Sequence, residues 1–221
     1  MTTFTTAIDH LAVAARTLQD GVNYVRHTLG VEIPAGGEHP HMGTHNHLMR
    51  LGDGVFLEVI AINPEGNLPA QPRWFGLDDP AVRHSIAEHP RLVTWVASTT
   101  DLAGATNNAA VDYGVINELS RGDLRWSFAL PQDGRLLAAG FLPYLMQWAS
   151  EPHPSTRMAD LGCTLRSITL RHPNAEWLST QLATINADKL VSIETLAVGS
   201  TPEISALIST PSGDKTLSSM V

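Results

Sequence analysis

The sequence predicts an α+β fold: repeated strand–helix–strand–strand units that join into a curved mixed sheet with a concave pocket. Three observations carry this. Over residues 7–62 an extended apolar stretch is followed by one with helical spacing, and then by two more short strands. The same order returns over residues 92–149 and again over 165–209. The three leading strands begin roughly 75–85 residues apart, an internal repeat of pattern with little residue identity. In such a unit the helix covers one face of the sheet. The other face must meet a second unit or enclose a cavity, and that concave floor is where chemistry is expected.

The elements follow in order. Residues 7–14 (AIDHLAVA) read as a short buried strand, with Ile8, His10, Ala12 and Ala14 on one face and Asp9, Leu11 and Val13 on the other. Residues 17–29 read as a helix capped by Thr17, with Asp20 three residues on and Gly30 as terminator. A polar loop is expected over 34–42, then strands at 44–51 and 55–62 joined by the hairpin signal Gly52-Asp53-Gly54. In the second unit the strand is 92–98 and the helix 101–113, closed by Gly114. Strands at 124–130 and 141–149 follow, with a turn over 131–134. In the third, the strand is 165–171, the helix 174–185, and the later strands 190–197 and 203–209. Residues 63–90 and 150–160 read as Pro-rich connectors, and 211–221 as a loosely held polar tail.

The composition narrows the function classes. Of 221 residues, 43% are hydrophobic and 16% charged, which suits a globular domain with a real core. Mean hydropathy is −0.02. Fourteen Lys and Arg against 22 Asp and Glu leave a net charge of −8, which disfavours nucleic acid or an anionic membrane surface as partner. The single Cys163 forbids an internal disulfide and a multi-thiolate zinc site. No basic leader precedes the first apolar stretch, so a cytoplasmic protein is expected. GxSxG, GxGxxG and Walker loops are absent.

Candidate chemistry gathers in few places. His10 lies on the small-residue face of the first strand, and Glu58 lies mid-strand between Phe56 and Ile60. A carboxylate there is costly to bury without a cation, a metal or strong donors. The pair reads either as a buried His–Glu hydrogen bond, favoured on residues alone, or as two ligands of a divalent ion, which needs three or more. His39, His41, His45 and His47 form a cluster, with His45 and His47 sharing one strand face. They suit a pocket rim or a metal. Gln147, amid apolar neighbours in YLMQW, must satisfy its amide. Trp74 and Phe75 suit a core plug better than a lid. The pocket candidates are His45, Asn46, His47, Trp74 and Trp148.

Five stretches now stand together: IDHLAVAARTLQDGV (8–22), GGEHPHMGTHNHLMRLGDGVFLEVIA (36–61), PRWFGLD (72–78), LPYLMQW (142–148) and GCTLRSITLRHP (162–173). In combination, across most of the chain, the sequence resembles the glyoxalase-like branch of the vicinal oxygen chelate superfamily. The resemblance implies βαβββ modules, about 1–75 and 90–150, paired into a half-barrel, with 160–221 a third, structural βαββ module. It implies metal ligands from the first and last strands of each module. Those positions are His10, Glu58, Thr94 and Gln147; threonine is not a credible ligand, and the Gln147 amide oxygen is a weak one. Zinc, manganese, iron and nickel all suit such a nitrogen and oxygen set.

The implied activity is that of a metal-dependent lyase, isomerase or dioxygenase acting on a small oxygenated substrate, with Glu58 as ligand and proton shuttle. The alternative is a metal-free protein of the same fold that sequesters a small molecule, which the Thr94 and Gln147 positions favour. A purely structural or interaction module is a third reading. The expected partner is a small molecule, in a monomer or homodimer.

Overall fold

A computed structural model describes residues 4–149 and 151–220. Residues 1–3, residue 150 in the second connector and residue 221 of the tail lie outside the described residues.

The leading strand β1 (Thr6–Ala14) is followed by α1 (Leu18–Leu29), where Thr17 Oγ1 accepts from the Asp20 N–H at the N-cap and Gly30 closes the helix in the left-handed region. Then come β2 (Ala35–His39), β3 (Thr44–Arg50) and β4 (Phe56–Ile62), and α2 (Pro80–Glu88). The second unit is β5 (Arg91–Thr99), α3 (Leu102–Asn108), β6 (Val115–Arg121), β7 (Leu124–Leu130) and β8 (Tyr144–Trp148). The third is β9 (Thr164–His172), α4 (Ala175–Thr184), β10 (Ser192–Thr195), β11 (Glu203–Thr210) and β12 (Gly213–Ser218).

The first two units share one eight-stranded sheet, ordered β2-β3-β4-β1-β5-β8-β7-β6. Each leading strand runs parallel to the last strand of its own unit, and β1 and β5 meet antiparallel at the centre. The sheet curls into a half-barrel. The third unit repeats the element order but not the topology. In its own sheet, β10-β9-β11-β12, the leading strand β9 pairs antiparallel with β11 and parallel with β10.

Four elements depart from the sequence expectation. The loop over 34–42 contains β2, an edge strand whose AGGEH lacks alternating apolar residues because none of its residues is buried. A Cβ at Gly36 would stand 2.3 Å from Asn46 Oδ1, so the approach of β2 to β3 needs glycine. The connector over 63–90 contains α2, capped by Asp79 with Pro80 in its first turn. The second unit's helix ends at Asn108, not 113, which frees the chain for the other edge strand, β6. The tail holds β12, which forms a hairpin with β11 and buries Leu217 fully.

Two cores result. One lies between the convex face of the half-barrel, its helices and the second sheet, and joins Leu11, Val25, Leu57 and Trp95 to Leu170, Leu178, Ile204 and Leu217. The other lines the concave face, with Ala12, Ile60, Phe75, Val96, Phe128 and Tyr144. Residues 72–78 cross that face. Phe75 takes a left-handed φ of 58°, and its N–H donates to the Tyr144 hydroxyl at 3.1 Å. Arg73 and Asp78 clamp this segment at 2.6 Å. Trp74 and Phe75 thus plug the core and also wall the cavity beside it.

Candidate functional site

The cavity on the concave face has a volume of about 60 Å³. Its polar lining is His10, His39, Asn46, Glu58 and Arg121; the rest of the wall is apolar or aromatic.

The floor starts from a β-bulge. Ile8 stands opposite Ala97 on β5 and His10 opposite Val96, so Asp9 is an extra residue on β1. Strict alternation would put Asp9 and His10 on opposite faces; the bulge lets their side chains meet. Asp9 Oδ1 lies 2.7 Å from His10 Nδ1. Its Oδ2 accepts from the Trp148 indole N–H at 2.8 Å and faces His153 Nε2 at 3.2 Å. Asp9 has no solvent exposure. Burial alone would raise its pKa, but the hydrogen bonds from His10 and His153, with their charge, overcome this and hold it at about 2.

The carboxylate fixes the His10 tautomer: Nδ1 donates to Asp9, and Nε2 points away from it. That Nε2 lies 3.7 Å from Glu58 Oε2, too long for a direct hydrogen bond. The His10 ring stacks on Phe56 at 4.5 Å between centroids. Glu58 Oε1 accepts from Asn46 Nδ2 at 2.6 Å, and Asn46 Oδ1 in turn accepts from the Gly37 N–H at 2.9 Å. Asp9 and Asn46 therefore orient His10 and Glu58 from either side.

The rim joins the two outer edges of the sheet. His39 ends β2 and Arg121 ends β6, and Arg121 Nη1 lies 3.4 Å from His39 Nε2. Burial, its largest cause, lowers the His39 pKa to about 4, against the pull of Glu58 and with the help of Arg121. The ring is neutral at neutral pH. Nε2 accepts from Arg121 and Nδ1 donates to Thr44 Oγ1 at 3.0 Å. Pro154 and Met158, beyond β8, close the cavity from above.

The sequence candidates divide sharply. His10, Glu58, Asn46, Trp74 and Trp148 all line the cavity. Gln147 does not reach it. Its neighbours Met146 and Trp148 face the cavity, so Gln147 faces the other way, and its Oε1 accepts from the Leu102 N–H at the start of α3, at 2.9 Å. His45 and His47 likewise flank Asn46 and point to the convex side. There they line a groove with Val22 and Ile86, and His47 Nδ1 bonds the Ile33 carbonyl at 2.7 Å. Thr94 is fully buried, with its hydroxyl donating to the Gly140 carbonyl. Sequence reasoning missed Asp9, Arg121 and His153, and saw His39 only as part of a cluster. Asp9 beside His10 was the one local signal.

A metal held between the two modules does not fit these residues. His10 Nε2 and Glu58 supply two donors, and the third expected donor, Gln147, is spent on a helix N-terminus. Among the described residues, no three His, Cys, Asp or Glu side chains converge as a metal centre requires.

The comparisons with known proteins agree with this architecture. The glyoxalase-like domain model matches residues 8–185. No curated protein matches the chain. Among solved structures, a hypothetical protein from Staphylococcus aureus is 14% identical, with a TM-score of 0.55 over 81% of this chain and 74% of that one. A methylmalonyl-CoA epimerase variant from Streptomyces coelicolor is 19% identical, with a TM-score of 0.41 over 68% of this chain and 100% of that one. A 4-hydroxymandelate synthase variant from Streptomyces coelicolor is 14% identical, with a TM-score of 0.46 over 98% of this chain and 63% of that one. At 14% identity the likeness to the Staphylococcus aureus protein is one of fold alone.

Proposed function

The chain belongs to the glyoxalase-like domain family of the vicinal oxygen chelate superfamily, and on that footing we propose that it is an isomerase- or lyase-type enzyme that moves a proton next to an oxygen of a small substrate. One observation carries this reading. The Asp9–His10 pair and Glu58 face each other across 3.7 Å at the floor of a cavity with mostly apolar and aromatic walls. Glu58 is the base. Its carboxylate takes a proton from a carbon next to the substrate carbonyl, and the electron pair passes to the carbonyl oxygen as an enolate. His10, held by Asp9 through Nδ1, hands a proton to that oxygen from Nε2 when Nε2 carries one. Return of a proton to carbon, or loss of a neighbouring leaving group, completes an isomerisation or an elimination. No step runs through a metal, because the donor set does not suit one.

The test is exchange of carbon-bound hydrogen. A panel of small hydroxy- and dicarbonyl compounds is incubated with the protein in D₂O and followed by proton NMR. Exchange is expected for at least one compound, to fall about 100-fold in Glu58→Gln, and to survive dialysis against EDTA. Exchange that is lost to EDTA and restored by one divalent ion returns the protein to the metal-dependent class.

A second reading has its own support in the aromatic walls, which suit a binding protein without turnover. There, Glu58→Gln and wild type bind the same ligands and neither exchanges hydrogen.

A further inference from the structure

We propose that the ligand of this cavity is a flat aromatic monocarboxylate of a single ring, with its carboxylate held by Arg121 and the Trp74 indole N–H at the end away from His10. This rests on the cavity being the substrate site and names the class of substrate.

Three observations lead to it. The first is an unneutralised cation. Arg121 lines the cavity, and no carboxylate among the described residues stands within ion-pair distance of it. Its partner is the neutral ring of His39, which orients the guanidinium without cancelling its charge. In a chain of net charge −8, such an arginine on a cavity wall is complementary to an anion.

The second is an orphaned donor. Trp74 is 5% exposed, and its indole N–H has no acceptor. A buried N–H without an acceptor is costly, and an oxygen brought by a ligand relieves that cost. The Trp74 ring lies edge-on to His39 at 4.9 Å, on the same side of the cavity as Arg121. Of the other polar groups, Asp9 and Asn46 are paired, and His10 Nε2 and Glu58 Oε2 are the groups left facing the substrate. Asp9 meets three donors, and Asn46 bridges Gly37 and Glu58.

The third is the wall. Phe56, Trp126, Phe128 and Trp148 surround the space with aromatic faces and edges. These suit a flat ring by offset stacking and edge-to-face contact. The cavity is small, about 60 Å³, and a fused ring system has no room in it. With its carboxylate at Arg121, a substrate of this class that also carries a carbonyl presents that carbonyl and the carbon beside it to His10 and Glu58.

Calorimetric titration tests this with three probes: phenylacetate, its neutral isostere phenylacetamide, and acetate. Phenylacetate is expected to bind about ten-fold or more tighter than phenylacetamide, as one charge-assisted contact implies. Acetate, without a ring, is expected to bind far more weakly than either. Arg121→Gln should erase the preference for the acid, Arg121→Lys should keep part of it, and Trp74→Phe should weaken phenylacetate several-fold. Near-ultraviolet circular dichroism checks that each variant keeps its fold. Equal binding of acid and amide, no binding of phenylacetate, or a preference that survives Arg121→Gln overturns the proposal. The preference should persist in Glu58→Gln, which separates it from catalysis. Preference without hydrogen exchange in any protein defeats the proton-transfer reading alone, and exchange on neutral carbonyl compounds without a preference for acids defeats the carboxylate alone.

Discussion

Asp9 is the most constrained residue of the site. It is a fully buried carboxylate, and it stays charged because His10, Trp148 and His153 all meet it. Its folded pKa of about 2 lies below the ordinary 3.8. The stability it contributes is therefore complete above about pH 4 and is lost as pH falls through about 2, on the order of 2 kcal/mol in all. Asp9→Asn should lose that stability at neutral pH and flatten the acid limb, as urea unfolding at a series of pH values will read. It should also slow hydrogen exchange, because an amide cannot accept from all three donors and so loosens the hold on His10. His39 gives a second window. Its pKa falls from 6.5 unfolded to about 4 folded, so the unfolded chain binds its proton first. The protein should lose stability as pH drops from 6.5 towards 4, and His39→Gln should remove that part of the slope. Neither effect is legible in sequence, because both depend on what surrounds the side chain.

At the scale of elements, alternation along a strand explains most of the site and one irregularity explains its centre. Phe56 and Glu58 share a face of β4, and Asn46 and Leu48 a face of β3, as period two requires. The bulge at Asp9 breaks the rule at the floor of the cavity, and no local signal in AIDHLAVA announces it. The same alternation removes Gln147 from the site, since it lies one residue from both Met146 and Trp148. Gln147→Ala should cost about 1 kcal/mol through the lost contact with the first turn of α3 and leave hydrogen exchange unchanged. Gly36→Ala should do the reverse. A methyl group 2.3 Å from Asn46 Oδ1 forces Asn46 off Glu58, so exchange should fall more than thermal stability does. The signals for α2 were present, an Asp followed by Pro at a helix start, but a Pro-rich stretch reads first as a connector.

At the scale of the molecule, two devices make the cavity. Curling brings the ends of β2 and β6, the outermost strands of the large sheet, within one hydrogen bond through His39 and Arg121. The second sheet backs the half-barrel from outside, sharing a core with it. That shared core predicts one cooperative unfolding transition. Leu170→Ala, on β9, should cost about 2–5 kcal/mol and lower the stability of both sheets together. Two separate transitions, by near-ultraviolet circular dichroism and by hydrogen exchange, would show the third unit folding alone. No helix among the described residues is long and apolar enough to cross a membrane.

The sequence by itself determined the fold class, the order of most elements, the glyoxalase-like family, and two residues that line the cavity, His10 and Glu58. Those features are local or periodic, and strand faces, caps and motifs can be read along one chain. Tertiary structure alone decided the rest. It turned Gln147, His45 and His47 away from the cavity, brought Asp9 beside His10 through a bulge, and set Arg121 against His39 across the whole sheet. It also gave the third unit a topology of its own. The edge strands β2 and β6 carry little apolar periodicity because neither buries a residue, and a cavity closed by both edges of a sheet exists only once that sheet has curled.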